Sequence, residues 1–360
     1  MQNEALKYGK LACDTMMRKF KAEDLPPKGG FHYHAGVFLS GMMNVYSVCG
    51  DEKYYEYMKT WVDSIVVAPK RIDHYNLGAL DDYMAGILLF PLYERTGDEK
   101  YSETLHMMLL NIRNWRRNEY GGFWHMLWKA QQMWLDGLYM AGPLQAIYAK
   151  NFNDPSYIKE AANQAFLMHE HMQDKETKLL YHAWDSSKEM PWANSETGLA
   201  PEFWGRALGW YVVAILDIME QMDKTSDDYK KLAEIEREVL EALIKYQDKN
   251  EKLWYQVVNK GDKDGNWLEA SCSCLFTYAL AKSVRLGVGK PEWLENVKAG
   301  FENIIRKFVE VKNDDLFISG VCIGTGVLDY QGYIERPTSV NDLHGMGAFL
   351  LMCAEIAKIA

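Results

Sequence analysis

The stretch Gln131-Gln132-Met133-Trp134-Leu135-Asp136-Gly137-Leu138-Tyr139-Met140 places one carboxylate among large apolar side chains, at the start of a helical run that continues through Gln145 and Tyr148. Desolvation disfavours the charged form of an acid, so Asp136 is expected to hold its proton near neutrality and to serve as a proton donor. The competing reading is a helix cap whose carboxylate accepts backbone N–H bonds. In Phe203-Trp204-Gly205-Arg206-Ala207-Leu208-Gly209-Trp210, Arg206 and Trp210 are four residues apart and share a helical face. Together they offer a planar fork for a carboxylate and an indole surface for a ring. The plainer alternative is an Arg neutralised by a buried acid. Further polar residues stand at the starts of apolar helical runs: His32, Tyr33 and His34; Asn76, Asp81 and Asp82; Trp204; Glu269, Ser271 and Ser273; Asn341, Asp342 and His344. His125 and His182 come from short stretches that precede such runs. Singly these read as caps or satisfied core groups; converging on one mouth, they have the composition of a carbohydrate-active pocket.

Other chemistries find little support. A net charge of −10 lacks the basic footprint of a nucleic-acid binder, but it does not exclude a small anionic substrate held by a local Arg. No metal or cofactor is expected. His32 and His34 are separated by one residue, His169 and His171 fall on an outer helix, and no His-Glu-x-x-His, Cys-x-x-Cys or phosphate-binding Gly-rich loop occurs. No Ser occupies a Gly-x-Ser-x-Gly turn. Cysteines 13, 49, 272, 274, 322 and 353 have no framework spacing and read as reduced core thiols. With no signal pattern at the N-terminus and no apolar run of spanning length, a cytoplasmic protein off the membrane is expected. The 12 Trp and 22 Tyr suit sugar rings, but core packing is the default use for them.

The residues need a frame, and the periodicity supplies a helical one. Apolar residues recur at three- and four-residue spacing over twelve segments: 2–20, 36–49, 52–68, 77–96, 98–118, 133–150, 155–173, 202–222, 226–247, 268–286, 291–311 and 341–358. From the third onward, the odd segments are amphipathic and the even ones apolar nearly all round, which requires enclosure by other helices. Gly50-Asp51-Glu52-Lys53-Tyr54 recurs as Gly97-Asp98-Glu99-Lys100-Tyr101 and as Asn153-Asp154-Pro155-Ser156-Tyr157, with an echo at Ser226-Asp227-Asp228-Tyr229. Each start is an N-cap signature with an aromatic pin. Six alternating pairs over residues 1–360 predict one all-α domain, a closed (α/α)6 barrel. Aromatic strand-like pieces at 121–125, 179–185, 252–257 and 316–320 are expected at the end where inner helices begin.

Four motifs resemble the unsaturated rhamnogalacturonyl hydrolases, glycoside hydrolase family 105. They are Trp134-Leu135-Asp136-Gly137-Leu138-Tyr139-Met140, Tyr181-His182-Ala183-Trp184-Asp185, Trp204-Gly205-Arg206-Ala207-Leu208-Gly209-Trp210 and Asn341-Asp342-Leu343-His344-Gly345-Met346-Gly347-Ala348. The unsaturated glucuronyl hydrolases share the barrel and the paired Asp. The resemblance implies hydrolysis by hydration of the C4=C5 double bond of a non-reducing-end uronic acid: C4 is protonated, water adds at C5, and the hemiketal opens to a 5-keto sugar. It implies Asp136 as general acid/base and Asp81 as the second carboxylate, with neighbouring Asp82 as the rival assignment. It also implies His182, Arg206 and Trp210 as substrate contacts, with Tyr33, His125, Trp204 and His344 as further ones. The expected partner is an unsaturated oligosaccharide, taken by a monomer or weak homo-oligomer. Open alternatives are an inverting endoglucanase, an epimerase with His182 and His344 as paired bases, and a non-catalytic sugar-binding homologue.

Overall fold

The structure, a computed structural model, describes residues 1–27, 30–73 and 78–359. In chain order the helices are α1 (Gln2–Lys19), α2 (Tyr33–Cys49), α3 (Glu52–Ile65), α4 (Leu89–Thr96), α5 (Glu99–Arg113), α6 (Asp136–Asn151), α7 (Pro155–Met172), α8 (Gly205–Met219), α9 (Asp227–Lys245), α10 (Ala270–Leu286), α11 (Trp293–Phe308), α12 (Tyr330–Ile334) and α13 (Leu343–Lys358). Alternation along the chain becomes two concentric layers. Helices α2, α6, α8, α10 and α13 pack in a ring, and α4 completes it through the 3-10 turns that precede it. α8 buries every residue except Asp217, as a helix enclosed on all sides must. α3, α5, α7, α9 and α11 turn one apolar face inward, and α1 packs against α13 and α2.

First and last inner helices close the ring at very short range. A Cβ on Gly347 would lie 2.6 Å from the backbone carbonyl of Val37, and one on Gly41 would lie 2.9 Å from the Gly347 oxygen. Only glycine lets the α2 and α13 backbones approach so closely.

Asp98, Asp154 and Ser226 cap their helices as the repeat predicts, accepting from the N–H groups of Lys100, Ser156 and Tyr229. Asp51 does not; its carboxylate pairs with Lys53 and Lys10 instead. The segment predicted as a helix over 77–96 is partly 3-10, with turns at Leu80–Asp82 and Met84–Leu88. Its start is tied sideways, because Leu80 N–H donates to the His125 carbonyl and Ala79 bridges Met126. Those lateral bonds leave an α-helix no room to begin there. Asn76 lies outside the described residues.

The strand pieces are short antiparallel pairs: β1 (Val66–Ala68) with β2 (Arg71–Ile72), β3 (Gln132–Trp134) with β4 (Ala183–Asp185), β5 (Val309–Lys312) with β6 (Asp315–Ile318), and β7 (Val321–Cys322) with β8 (Thr338–Ser339). β3 takes residues assigned above to a helix from 133, so α6 starts at Asp136. The 121–125 and 252–257 stretches form single bridges rather than strands. All six cysteines are unpaired. Among the described residues, no helix is long and apolar enough to cross a membrane.

Candidate active site

Where the inner helices begin, a cavity of about 330 Å³ opens between the starts of α2, α6 and α8, the Leu80–Asp82 turn and the loop 324–326. Asp81, Asp136, Arg206 and Trp210 line it, together with Tyr33, His125 and Trp204, so seven of the predicted site residues meet there. The size is at the small end for ligand pockets, which run roughly 300–1,000 Å³.

Asp136 does not cap α6. Leu135 holds the N-cap position without a side-chain bond, and the Asp136 carboxylate faces the cavity instead. His182 Nε2 lies 3.1 Å from Asp136 Oδ2, and His182 Nδ1 lies 2.6 Å from Tyr333 Oη. The Tyr333 hydroxyl accepts from the Leu328 N–H at 3.2 Å, so its own proton is free for Nδ1. A neutral His182 then carries its proton on Nε2 and donates to Asp136. His182 is fully buried behind Asp136 and does not face the cavity. The structure thus places it against the acid, and not on the cavity wall where a substrate contact was expected.

A second correction concerns the proton. Burial works to raise the Asp136 pKa, but the hydrogen bond from His182, with the Arg206 charge nearby, outweighs it and holds the carboxyl below its ordinary value. The raised acid is Asp81, pushed up to about 8 by burial, by the Asp136 charge and by Asp82. His125 Nε2 is 3.4 Å from Asp81 Oδ1, but burial drives this histidine down to about 4, so it brings no charge to offset the shift. His125 also stacks on Trp134, with ring centres 4.6 Å apart. Asp82 is buried and raised to about 7 by that burial, and it does not line the cavity. Of the two adjacent acids, Asp81 is the one that lines the cavity.

Arg206 is buried, with its guanidinium 4.3 Å from the Trp204 ring. Nη1 donates to the Cys322 carbonyl at 2.6 Å and Nη2 to that of Ile323 at 2.8 Å. Its direct partners are these two carbonyls and not a paired acid, although the buried Glu269 and Asp136 act on its charge from farther off. Two carbonyls fix the plane, and the remaining N–H donors and the charge are left for the cavity. Trp210 lies one turn along and stacks on Tyr139, with centres 4.5 Å apart. Trp204, at the N-cap of α8, reaches the cavity from outside the helix; its Nε1 donates to Gln256 Oε1 at 3.1 Å.

His344 is fully buried and outside the cavity, with Nε2 3.1 Å from the Cys322 carbonyl. It meets the same Cys322 carbonyl that Arg206 holds, away from the cavity wall where a substrate contact was expected. Lys129, Met126, Trp134 and Met140 line the cavity without having been singled out as site residues. Trp134 and Met140 read as core residues of the Asp136 stretch, and nothing in the sequence marked Lys129. Tyr333 was missed because it stands on α12, a helix too short to show periodicity.

A closed ring of six inner helices, with paired carboxylates, a buried guanidinium and indoles at one end, defines an (α/α)6-barrel carbohydrate-active enzyme. The sequence model for Glycosyl Hydrolase Family 88 matches residues 8–360, and the chain belongs to that family. A solved Clostridium acetobutylicum ATCC 824 glycoside hydrolase from family 105 is 35% identical, with a TM-score of 0.93 over 97% of this chain and 99% of that one. The unsaturated rhamnogalacturonyl hydrolase YesR of Bacillus subtilis is 27% identical over 90% of this chain and 88% of its own length. An unsaturated glucuronyl hydrolase from Bacillus sp. GL1, at 17% identity and a TM-score of 0.73, shares the fold over 98% of this chain and 96% of its own.

Proposed function

We propose that this glycoside hydrolase removes a Δ4,5-unsaturated uronic acid from the non-reducing end of lyase-generated oligosaccharides, with unsaturated galacturonyl-rhamnose as the favoured substrate. The observation that carries the reading is geometric: two carboxylates line one small cavity, Asp136 held low by its His182 hydrogen bond and Asp81 raised by burial. Hydration of an enol ether needs one proton delivered to carbon and one removed from water, and such a pair supplies both. Asp81 gives its proton to C4; Asp136 takes one from the water that adds at C5. The hemiketal then opens to the 5-keto sugar and releases the saturated remainder. Because the two acids interact, the proton belongs to the pair and returns to Asp81 before the next turnover.

Charge in the cavity fits a uronate. Arg206 and Lys129 both line the cavity and offer a place for one negative charge. The substrate carboxylate fills it, with the ring against Trp210 or Trp204. An epimerase using His182 and His344 as bases is disfavoured, since neither imidazole lines the cavity.

The test is an assay on a panel of lyase-generated disaccharides, following the ultraviolet absorbance of the conjugated enoate. Loss of absorbance with release of the neighbouring sugar supports the reading. Turnover of saturated glycosides alone would overturn it.

A further inference from the structure

Beside the active cavity a second one, of about 600 Å³, opens over the starts of α2 and α13; His32 and His34 belong to the walls of both. His34 and Asp342 line it and His344 is buried behind them, the ligand atoms of the three lying within 4.8 Å of one another. Their proton inventory is informative. His32 Nδ1 accepts the backbone N–H of His34 at 3.4 Å, so it is a lone pair, and the 2.8 Å contact between the two Nδ1 atoms is a bond donated by His34. A neutral His34 therefore has its lone pair on Nε2, 3.8 Å from Asp342 Oδ1. His344 Nε2 faces the Cys322 carbonyl, which can only accept, so this nitrogen carries the proton and Nδ1 is left as a lone pair. That Nδ1 is fully buried, and its near polar neighbour is Asp342 Oδ1 at 2.7 Å, itself an acceptor of the His344 backbone N–H. With His344 neutral, three acceptors converge on one point.

We propose that His34, Asp342 and His344 form a binding site for one divalent transition-metal cation of the zinc class. Two imidazole nitrogens and a carboxylate are the donor set such a cation takes, at about 2.0–2.2 Å, with a water in the fourth position. The 3.8 Å span from His34 Nε2 to Asp342 Oδ1 brackets an ion at those bond lengths, and rotation of the carboxylate opens the 2.7 Å contact. A proton on His344 would relieve one repulsion but leave the His34 lone pair unused; a metal satisfies all three. Half-buried His34 and Asp342 open onto the larger cavity, which gives the ion a route in and room for its water. His34 stands on α2 and the other two ligands at the start of α13, so the ion clamps the seam that closes the barrel. Ligands 308 and 310 residues apart carry no spacing motif, which is why the sequence pointed away from metal.

The full-length protein, stripped with chelator, is titrated calorimetrically with Zn²⁺, and with Co²⁺ while its visible spectrum is followed. One equivalent should bind, Co²⁺ giving the strong d–d bands of a four-coordinate site. Both His34→Gln and Asp342→Asn, the latter keeping an N-cap side chain, should weaken binding by more than the roughly 10- to 100-fold lost with an outer-sphere partner. Binding unchanged in both variants would place the metal elsewhere and overturn the proposal. A loss in one variant alone would overturn the three-ligand assignment. Absence of binding, with a doubly protonated His344 seen by nitrogen NMR, would show that a proton fills the gap and would equally overturn it.

Discussion

The two carboxylates of the cavity differ in what surrounds them rather than in burial. Both are withdrawn from water, but only Asp136 receives a hydrogen bond from an imidazole that Tyr333 orients. The sequence singled out Asp136 by its apolar context but not its hydrogen bond, because His182 is 46 residues away and a local context cannot announce a distant donor. Asp136→Asn should lower kcat by roughly 10²–10⁴-fold with KM little changed; a rise in KM at constant kcat would assign it to binding. Asp81 sets the alkaline limb. Its proton is lost as pH rises through about 8, so kcat should fall above that pH in steady-state profiles. The same residue affects stability. With its folded pKa raised, its contribution is full below the unfolded value near 4 and fades as pH climbs through about 8. Asp81→Asn should therefore lose turnover yet gain stability over wild type as pH rises, on the order of 3 kcal/mol at pH 9 by chemical denaturation.

Helix α12 is the element that most deepens the site account, and five residues carry no periodicity from which to predict it. Asp329 caps it by accepting from the Gly332 N–H, and Tyr333 projects from it to His182. The long helices were legible because each needs a continuous apolar face. The 3-10 entry to α4 was not, since it depends on the lateral bond from Leu80 to His125. Tyr333→Phe should remove the bond that fixes the His182 tautomer. Kinetics should show kcat reduced roughly tenfold, the worth of about one such bond, with the acidic limb of the pH profile displaced upward as Asp136 loses support. Unchanged kcat and pH profile would confine Tyr333 to packing with Trp204.

At the scale of the molecule, the barrel brings residues from both ends of the chain to one mouth, and the α2–α13 seam makes this possible. Alternation of apolar and amphipathic segments announced the ring, but the Gly41 and Gly347 contacts that close it have no local signature. Gly347→Ala would press a methyl against the Val37 backbone and should destabilise the fold by roughly 1–3 kcal/mol in denaturant melts. The ring gathers the paired acids, the buried guanidinium and the indoles around space for one sugar. The most direct test of that arrangement is to run the reaction on an unsaturated galacturonyl-rhamnose disaccharide in D₂O and examine the first-formed uronate by NMR and mass spectrometry. Protonation at carbon predicts one deuteron at C4 and disappearance of the double bond in step with rhamnose release. Release of an intact, undeuterated unsaturated uronic acid would mean attack at the anomeric carbon and would contradict the account.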